Sequence, residues 1–486
     1  MIYKLRPYQE ECVKSISDYI NSDRHDPVLV IGPVGCGKSI LIAEAARLMG
    51  DKTLVLQPSR ELLIQNHNKI TSYGIPAAIY SASCGKKELS NMIYATLGSI
   101  KKVVGQLKEM GIRNVLIDEA HAGYSPEDGS EFMTFMNELK PKKVIGFTAT
   151  PCRLKTMSIG QVSYSQLNFI TRMRPVYFKN LIHIIQVEEM IRQGFWTPLK
   201  YETWDFNGDA LKLNSNGSEY TAESISEAVR KNGLNNLILR RLMVLKDVCR
   251  SILVFMDSVE SCNTAAEWMN AKICAGMAEV VHGGTPKRQR EAIVERFKSG
   301  GTQVVFNYSA LGTGFDHPGL DCVVFGRPTF SFSTWYQAIG RAVRIKDGKD
   351  SAMVVDCCDN SSRLGDIRGL SIENYKGYGW GMFVGDKLIT NIPMGDKVTK
   401  TDLDIKAAKK DRRRGLAQGI TASPVPGRPD HPLGSTVMTF GKYCGRMLHS
   451  IPVSYLKFIN ETFDWDNDRN KDIKEYIDFL IKNNRL

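Results

Sequence analysis

An α/β chain of two doubly wound parallel-sheet lobes, followed by a small C-terminal domain, is the fold class the sequence predicts. Three observations point to it. Short apolar runs alternate with amphipathic stretches over the first 150 residues, a second such set begins near residue 251, and the pattern fades after about residue 358. Strands buried on both faces read as continuous apolar runs, and helices between them give a parallel sheet covered on both sides.

In the first set, Val28–Ile31, Thr53–Leu56, Val115–Ile117 and Val144–Phe147 read as buried strands, with helical patterns over 39–49 and 60–73. In the second, Ile252–Phe255, Val280-Val281, Val304–Phe306, Cys322–Phe325 and Met353–Val355 repeat the theme. The chain divides into a first lobe over 1–150, a partly irregular connecting region over 151–240 and a second lobe over 241–357. A basic, Pro- and Gly-containing linker region follows over 358–435, then a small module over 436–486. Within that linker, residues 397–414 carry eight basic and three acidic side chains.

Composition narrows the function classes. Lys and Arg exceed Asp and Glu by 12, which suits a polyanionic partner. No apolar run reaches the roughly 18 residues of a membrane span, and MIYKLRPYQE lacks the apolar core of a secretory signal, so a cytoplasmic protein with no membrane partner is expected. The 11 cysteines form no CxxC, which reads as reduced thiols.

Gly32-Pro-Val-Gly35-Cys-Gly37-Lys38-Ser39 fits GxxxxGK[ST], placed between a strand and a helix as that motif requires. The glycines let backbone amides wrap onto phosphate oxygens, and the helix N-terminus adds its dipole. Lys38 would meet the outer phosphates, and Ser39 would hold Mg²⁺. Asp118-Glu119 ends an apolar strand, at the sheet edge where such folds bind ligands. Asp118 is the second Mg²⁺ residue, and Glu119 the candidate base for an attacking water. ATP with Mg²⁺ is therefore the expected cofactor pair. In Gln337-Ala-Ile-Gly340-Arg341-Ala-Val-Arg344, the two arginines are three apart and share one helix face. Guanidinium groups meet phosphoryl charge well, so a site taking Lys38 from one lobe and Arg341 and Arg344 from the other is complete only when the lobes close.

Asp118-Glu119-Ala-His121 resembles the signature of DEAH-type superfamily 2 helicases, whose other motifs follow in order over residues 1–357. The resemblance implies two RecA-like lobes and an ATP-dependent motor that moves along or unwinds DNA in replication, repair or recombination. Leu5-Arg-Pro-Tyr-Gln9 resembles the segment that reads adenine through its glutamine. Gln57-Pro-Ser59-Arg60-Glu-Leu62 and Thr96-Leu-Gly98-Ser99 resemble strand-gripping motifs. Thr148-Ala-Thr150 resembles the motif that links ATP state to nucleic-acid state, with His121 and Gln337 as coupling partners. Asn307 to Asp316 resembles a second-lobe motif in which Gly314 and Asp316 sense the nucleotide. The arrangement is most similar to RadD-type proteins and related phage helicases, which act on DNA, although the cysteine-rich region those proteins carry after the motor is missing from this sequence. Thr439 to Leu456 resembles the small C-terminal module of exodeoxyribonuclease X proteins, in which Lys442, Tyr443 and Arg446 serve either DNA or protein-partner contact or a folded cap. Single-stranded or forked duplex DNA is the expected partner. RNA stays open, as does a duplex translocase subunit of a restriction-type system, while intact Lys38, Asp118, Glu119, Arg341 and Arg344 speak against a binding protein with a decayed ATPase.

Overall fold

The computed structural model describes residues 3–159, 162–215, 217–310, 317–376, 378–394 and 396–407, and an interrupted set between 433 and 483. Gly314, Asp316, Lys442 and the 408–414 part of the basic stretch lie outside the described residues. Contacts divide the chain into two units, 1–403 and 404–486.

In the first unit, β1 (Val28–Ile31), β2 (Thr53–Leu56), β3 (Ala78–Ser81), β4 (Lys86–Lys87), β5 (Met92–Ala95), β6 (Asn114–Ile117) and β7 (Lys143–Thr148) form most of one sheet. A hairpin of β8 (Cys152–Ile159) and β9 (Val162–Phe169) follows, and β10 (Asn180–Ile184) returns to complete the sheet in the order β10-β1-β7-β6-β2-β5-β3-β4. Every pairing is parallel except β3 with β4. A second, wholly parallel sheet has the order β11-β16-β15-β12-β14-β13. Its strands are β11 (Leu199–Thr203), β12 (Ile252–Phe255), β13 (Ala278–His282), β14 (Val304–Tyr308), β15 (Cys322–Phe325) and β16 (Ala352–Asp356). All nine strands expected from the apolar runs are present, as are helices Lys38–Met49 and Arg60–Ser72.

The connecting region is more ordered than its sequence suggests. Its strands β10 and β11 are edge members, one in each lobe's sheet, and edge strands carry mixed rather than continuous apolar patterns. Helices Ala222–Lys231 and Leu234–Val248 pack on the second sheet, so the second lobe begins well before 241. The expected linker is also partly folded. Strands β17 (Leu370–Tyr375), β18 (Gly379–Val384), β19 (Lys387–Leu388) and β20 (Val398–Thr399) form an antiparallel sheet. Asn391 ties this sheet to the hairpin, its N–H donating to the Leu167 carbonyl at 2.6 Å while its Oδ1 accepts from the Phe169 N–H at 3.0 Å. The basic stretch enters the same sheet, where Lys400 meets Glu373 at 2.7 Å. Strands of two to six residues with glycine inside them leave little periodic signal, which is why this sequence reads as linker.

The second unit holds helices Val453–Thr462 and Lys471–Lys482 around Leu456, Ile459, Ile473, Ile477 and Leu480. Tyr443 packs against that core, its ring 4.8 Å from that of Tyr455, and Arg446 lies over the Tyr443 ring.

The first helix of the first lobe, Pro7–Asn21, shows how a distant residue positions the site. Its C-terminal carbonyls have no partner of their own helix. Lys143 on β7, itself buried, reaches across and donates to the carbonyls of Tyr19, Ser22 and Arg24 at 2.6–2.9 Å. Lys143→Met removes all three charge-assisted bonds, and among the described residues only the Tyr19 carbonyl keeps other donors, the Ser22 N–H and hydroxyl, so the loss is about 2–3 kcal/mol. A thermal melt of the first lobe should fall by several degrees, and an unchanged melt would show that the anchor is redundant.

Candidate active site

The ends of β1, β2, β5, β6 and β7 deliver the phosphate loop, Gln57, Thr96, Asp118 and Thr148 to one edge of the first sheet. Helix Lys38–Met49 starts from Gly37, whose φ of 81° is left-handed and which supplies no side-chain cap. Its first amides are therefore open toward the loop, as phosphate binding needs. A Cβ on Gly37 would also stand 2.6 Å from Nε2 of Gln9.

A cavity of about 360 Å³ opens above this loop. Gly35, Gly37, Lys38, Ser39, Asp118 and Glu119 line it from the first lobe, and Gln337, Gly340, Arg341 and Arg344 from the second. The structure thus brings together residues more than 200 positions apart, as the motif spacing implied. Lys38 Nζ stands 3.6 Å from Glu119 Oε1. Arg341 is only 9% exposed. Burial pulls its pKa down to about 10 against the opposing pull of Glu119, so it remains charged at neutral pH.

The two adjacent carboxylates titrate in opposite directions. Asp118 is 3% exposed. Burial first, and then the Glu119 charge, push its carboxyl up to about 7. Burial also opposes the charge on Glu119, but Lys38 and His121 outweigh it and hold that carboxyl at about 2. Glu119 is therefore ionised at any working pH, as a proton acceptor must be. Its φ of 46° is a left-handed conformation rare for a residue with a side chain, a local strain of the kind that clusters at functional sites.

His121 Nδ1 lies 3.3 Å from Glu119 Oε2 and 2.8 Å from Thr148 Oγ1, which accepts from the Thr150 N–H at 3.0 Å. The Thr148–Thr150 segment thus reaches Glu119 through one histidine. Ser59 caps helix Arg60–Ser72 by accepting from the Leu62 N–H. Thr96 Oγ1 donates to Ser99 Oγ, which accepts from the Ala82 N–H. Arg60 is half-buried and Gly98 is exposed, with open space over it.

Gln9 is placed differently from the adenine-reading position the resemblance implies. It is 2% exposed and absent from the cavity lining, its Oε1 accepting from the Arg6 N–H at 3.0 Å and its Nε2 donating to the Cys36 carbonyl at 2.9 Å. Both ends of the amide support the loop. The cavity wall beside it is Arg6, whose guanidinium lies 4.5 Å over the Phe195 ring. Sequence reading missed Phe195 and Asn66, which donates to both Asp118 Oδ2 at 2.9 Å and Gln57 at 3.0 Å. Neither lies in a spaced motif. Ser39 and Asp118, a hydroxyl and a buried carboxylate on the same wall, are the hard oxygen donors that suit Mg²⁺.

A phosphate loop and an acidic strand end in one lobe, faced by arginines from another, are the features of a two-lobed RecA-like fold with a nucleotide site between the lobes. Residues 2–153 match the model "Type III restriction enzyme, res subunit", and 235–346 match "Helicase conserved C-terminal domain". With these two matches the chain is similar to superfamily 2 helicases over both lobes. Among its relatives, IRC3 of Saccharomyces cerevisiae, named as a candidate ATP-dependent helicase, is 23% identical over 378 residues, covering 74% of this chain and 52% of that protein. A 51.5 kDa protein of a Lactococcus phage is 24% identical, covering 68% and 65%. The chain therefore spans about half to two thirds of the length of these relatives. The restriction–modification enzyme LlaBIII bound to DNA shares the fold with a TM-score of 0.53 at 16% identity, covering 74% of this chain and 28% of that one. A fragment of a type I restriction enzyme subunit from Vibrio vulnificus does so with 0.53 at 18%, covering 75% and 67%.

Lys38 and Glu119 should separate binding from chemistry. Lys38→Ala is expected to lose nucleotide affinity and turnover together. Glu119→Gln should retain affinity while hydrolysis stalls, since an amide accepts no proton. Near-parental turnover in Glu119→Gln, measured beside nucleotide binding, would remove that residue from the base role.

Proposed function

We propose that this chain is an ATP-dependent DNA helicase or translocase in which lobe closure completes the hydrolytic site. The observation that carries the reading is the convergence of Lys38, Glu119, Arg341 and Arg344 on one cavity. Glu119 takes a proton from a water as its oxygen attacks the γ-phosphorus, and the bond to the β-phosphate oxygen breaks to release ADP. Lys38 meets the outer phosphates, and Arg341 and Arg344 meet the charge that spreads over the transferring group. Ser39 and Asp118 would hold Mg²⁺, which supplies charge neutralisation at those oxygens. Arginines from the second lobe make hydrolysis depend on lobe position, and His121 relays that state toward Thr148 and Thr150.

DNA as the track is supported by the motif resemblance and by the excess of 12 positive charges. The segments that hold Ser59, Arg60, Thr96, Gly98 and Ser99 follow β2 and β5 at the same sheet edge, the place from which they would grip a strand. A duplex translocase that does not part strands is the second reading, favoured by the restriction-type family match over 2–153.

Forked and blunt duplex DNA with one labelled strand separate the two readings. The helicase reading predicts ATP-dependent strand release from the fork, lost in Glu119→Gln. ATPase stimulated by duplex DNA with no strand release would establish the translocase instead. No stimulation by any DNA, with stimulation by RNA, would overturn DNA as the substrate.

A further inference from the structure

Helix Phe332–Ala342 carries Arg341 and ends beside the phosphate loop, whereas Arg344 falls in the chain just beyond it and not on the same helix face as the sequence implied. The carbonyls at this helix end need partners from outside the helix. The segment that joins the lobes supplies them. The Thr197 N–H donates to the Val343 carbonyl at 2.8 Å, and Thr197 Oγ1 donates to the Arg344 carbonyl at 2.8 Å. Lys349 completes the set, its ammonium donating to the carbonyls of Ala342 and Arg344 at 2.6 and 2.8 Å. The residue next to Thr197 faces the other way. Trp196 is 3% exposed, and its Nε1 donates to the Val34 carbonyl, in the phosphate loop, at 2.9 Å. A Cβ placed on Gly35 of that loop would stand 3.5 Å from both the Trp196 indole and Val343, so all three pack in one place.

We infer that Trp196 and Thr197 are positioning residues that fix the spacing between the phosphate loop and Arg344. Two consecutive residues hold opposite walls of the site by directed hydrogen bonds: one grips the loop around the phosphates, the other the backbone that presents the arginine. A β-strand residue advances the chain by about 3.3 Å, so a two-residue span leaves little room for drift. The preceding residue, Phe195, lines the cavity itself beside Arg6. Movement of the second lobe relative to the loop therefore acts on this short stretch of chain. Strand β11, which follows at Leu199, locks its far end into the second sheet. An arginine acting on a transferring phosphoryl group is sensitive to sub-ångström placement, and a shift of about 1 Å costs on the order of a hundredfold.

The inference rests on the proposed role of Arg344, and the experiment is built to separate the two. Thr197→Val keeps the size and the backbone N–H but deletes the hydroxyl bond to Arg344. Thr197→Ser retains the hydroxyl. Trp196→Phe keeps a buried ring but deletes the bond to Val34. Turnover and nucleotide affinity are measured for each variant, alone and combined with Arg344→Ala. Thr197→Val and Trp196→Phe should lower kcat about ten- to a hundredfold with ATP affinity within about twofold of parent. Thr197→Ser should stay near parent. In the Arg344→Ala background, Thr197→Val should cost almost nothing more, since residues that act through one group are not additive. A large kcat loss in Arg344→Ala with none in Thr197→Val, an additive loss, or a loss confined to affinity would overturn the positioning role alone. Parental kcat in Arg344→Ala would overturn the arginine reading and the positioning role with it.

Discussion

Val34, inside the phosphate loop, lies against the bare backbone of Gly340 in the arginine helix. A Cβ built on Gly340 would stand 2.4 Å from Val34 Cγ2, far inside contact distance. Loop and helix are thus as close as two backbones with one intervening side chain can be, and the rest of the site depends on that approach. It lets Gln337, Gly340, Arg341 and Arg344 share a cavity with Lys38 and Glu119. It also explains why so many neighbours hold the two sides in place: Trp196 and Thr197 from the connecting chain, Lys349 from beyond the helix, and Gln9 and Tyr8 on the Cys36 carbonyl. Support on this scale suits a geometry that must be both close and repeatable.

The same compression organises the charges. Asp118 and Glu119 are neighbours in sequence, yet their environments drive them apart. One is buried against Asn66 and pushed up to about 7, and the other is held at about 2 between Lys38 and His121. Divergent environments for adjacent acids are how one site assigns distinct roles to them. The strained backbone of Glu119 aims its carboxylate at Lys38 and His121 at once. His121 then links Glu119 to Thr148 at the end of β7 by direct contact.

What the sequence made legible follows from signal strength. Strands buried on both faces, such as Val28–Ile31 and Cys322–Phe325, announce themselves as unbroken apolar runs, and the phosphate loop and acidic strand end have few alternative explanations once their context is apparent. Edge strands β10 and β11 and the short strands β17–β20 alternate polar and apolar residues or carry glycine, so they read as irregular chain. The supporting residues were invisible for a different reason. Asn66, Phe195, Trp196 and Thr197 act through single hydrogen bonds or ring contacts set by tertiary packing, and no spacing rule marks them. Gln9 shows the converse. Its motif was legible, but the structure employs its amide as a strut between Arg6 and Cys36 rather than on the cavity wall.

The central claim, that hydrolysis requires the arginine helix at its present distance from the phosphate loop, is tested most directly by turnover in Gly340→Ala. The position is helical, and alanine is favoured over glycine there by about 1 kcal/mol, so the backbone itself does not suffer. The added methyl meets Val34 and pushes the helix away from the loop. Measured together, kcat and ATP affinity should part company: affinity within a few-fold of parent, kcat down by on the order of a hundredfold. Parental kcat in Gly340→Ala would show that the close approach of the lobes is not what completes the site.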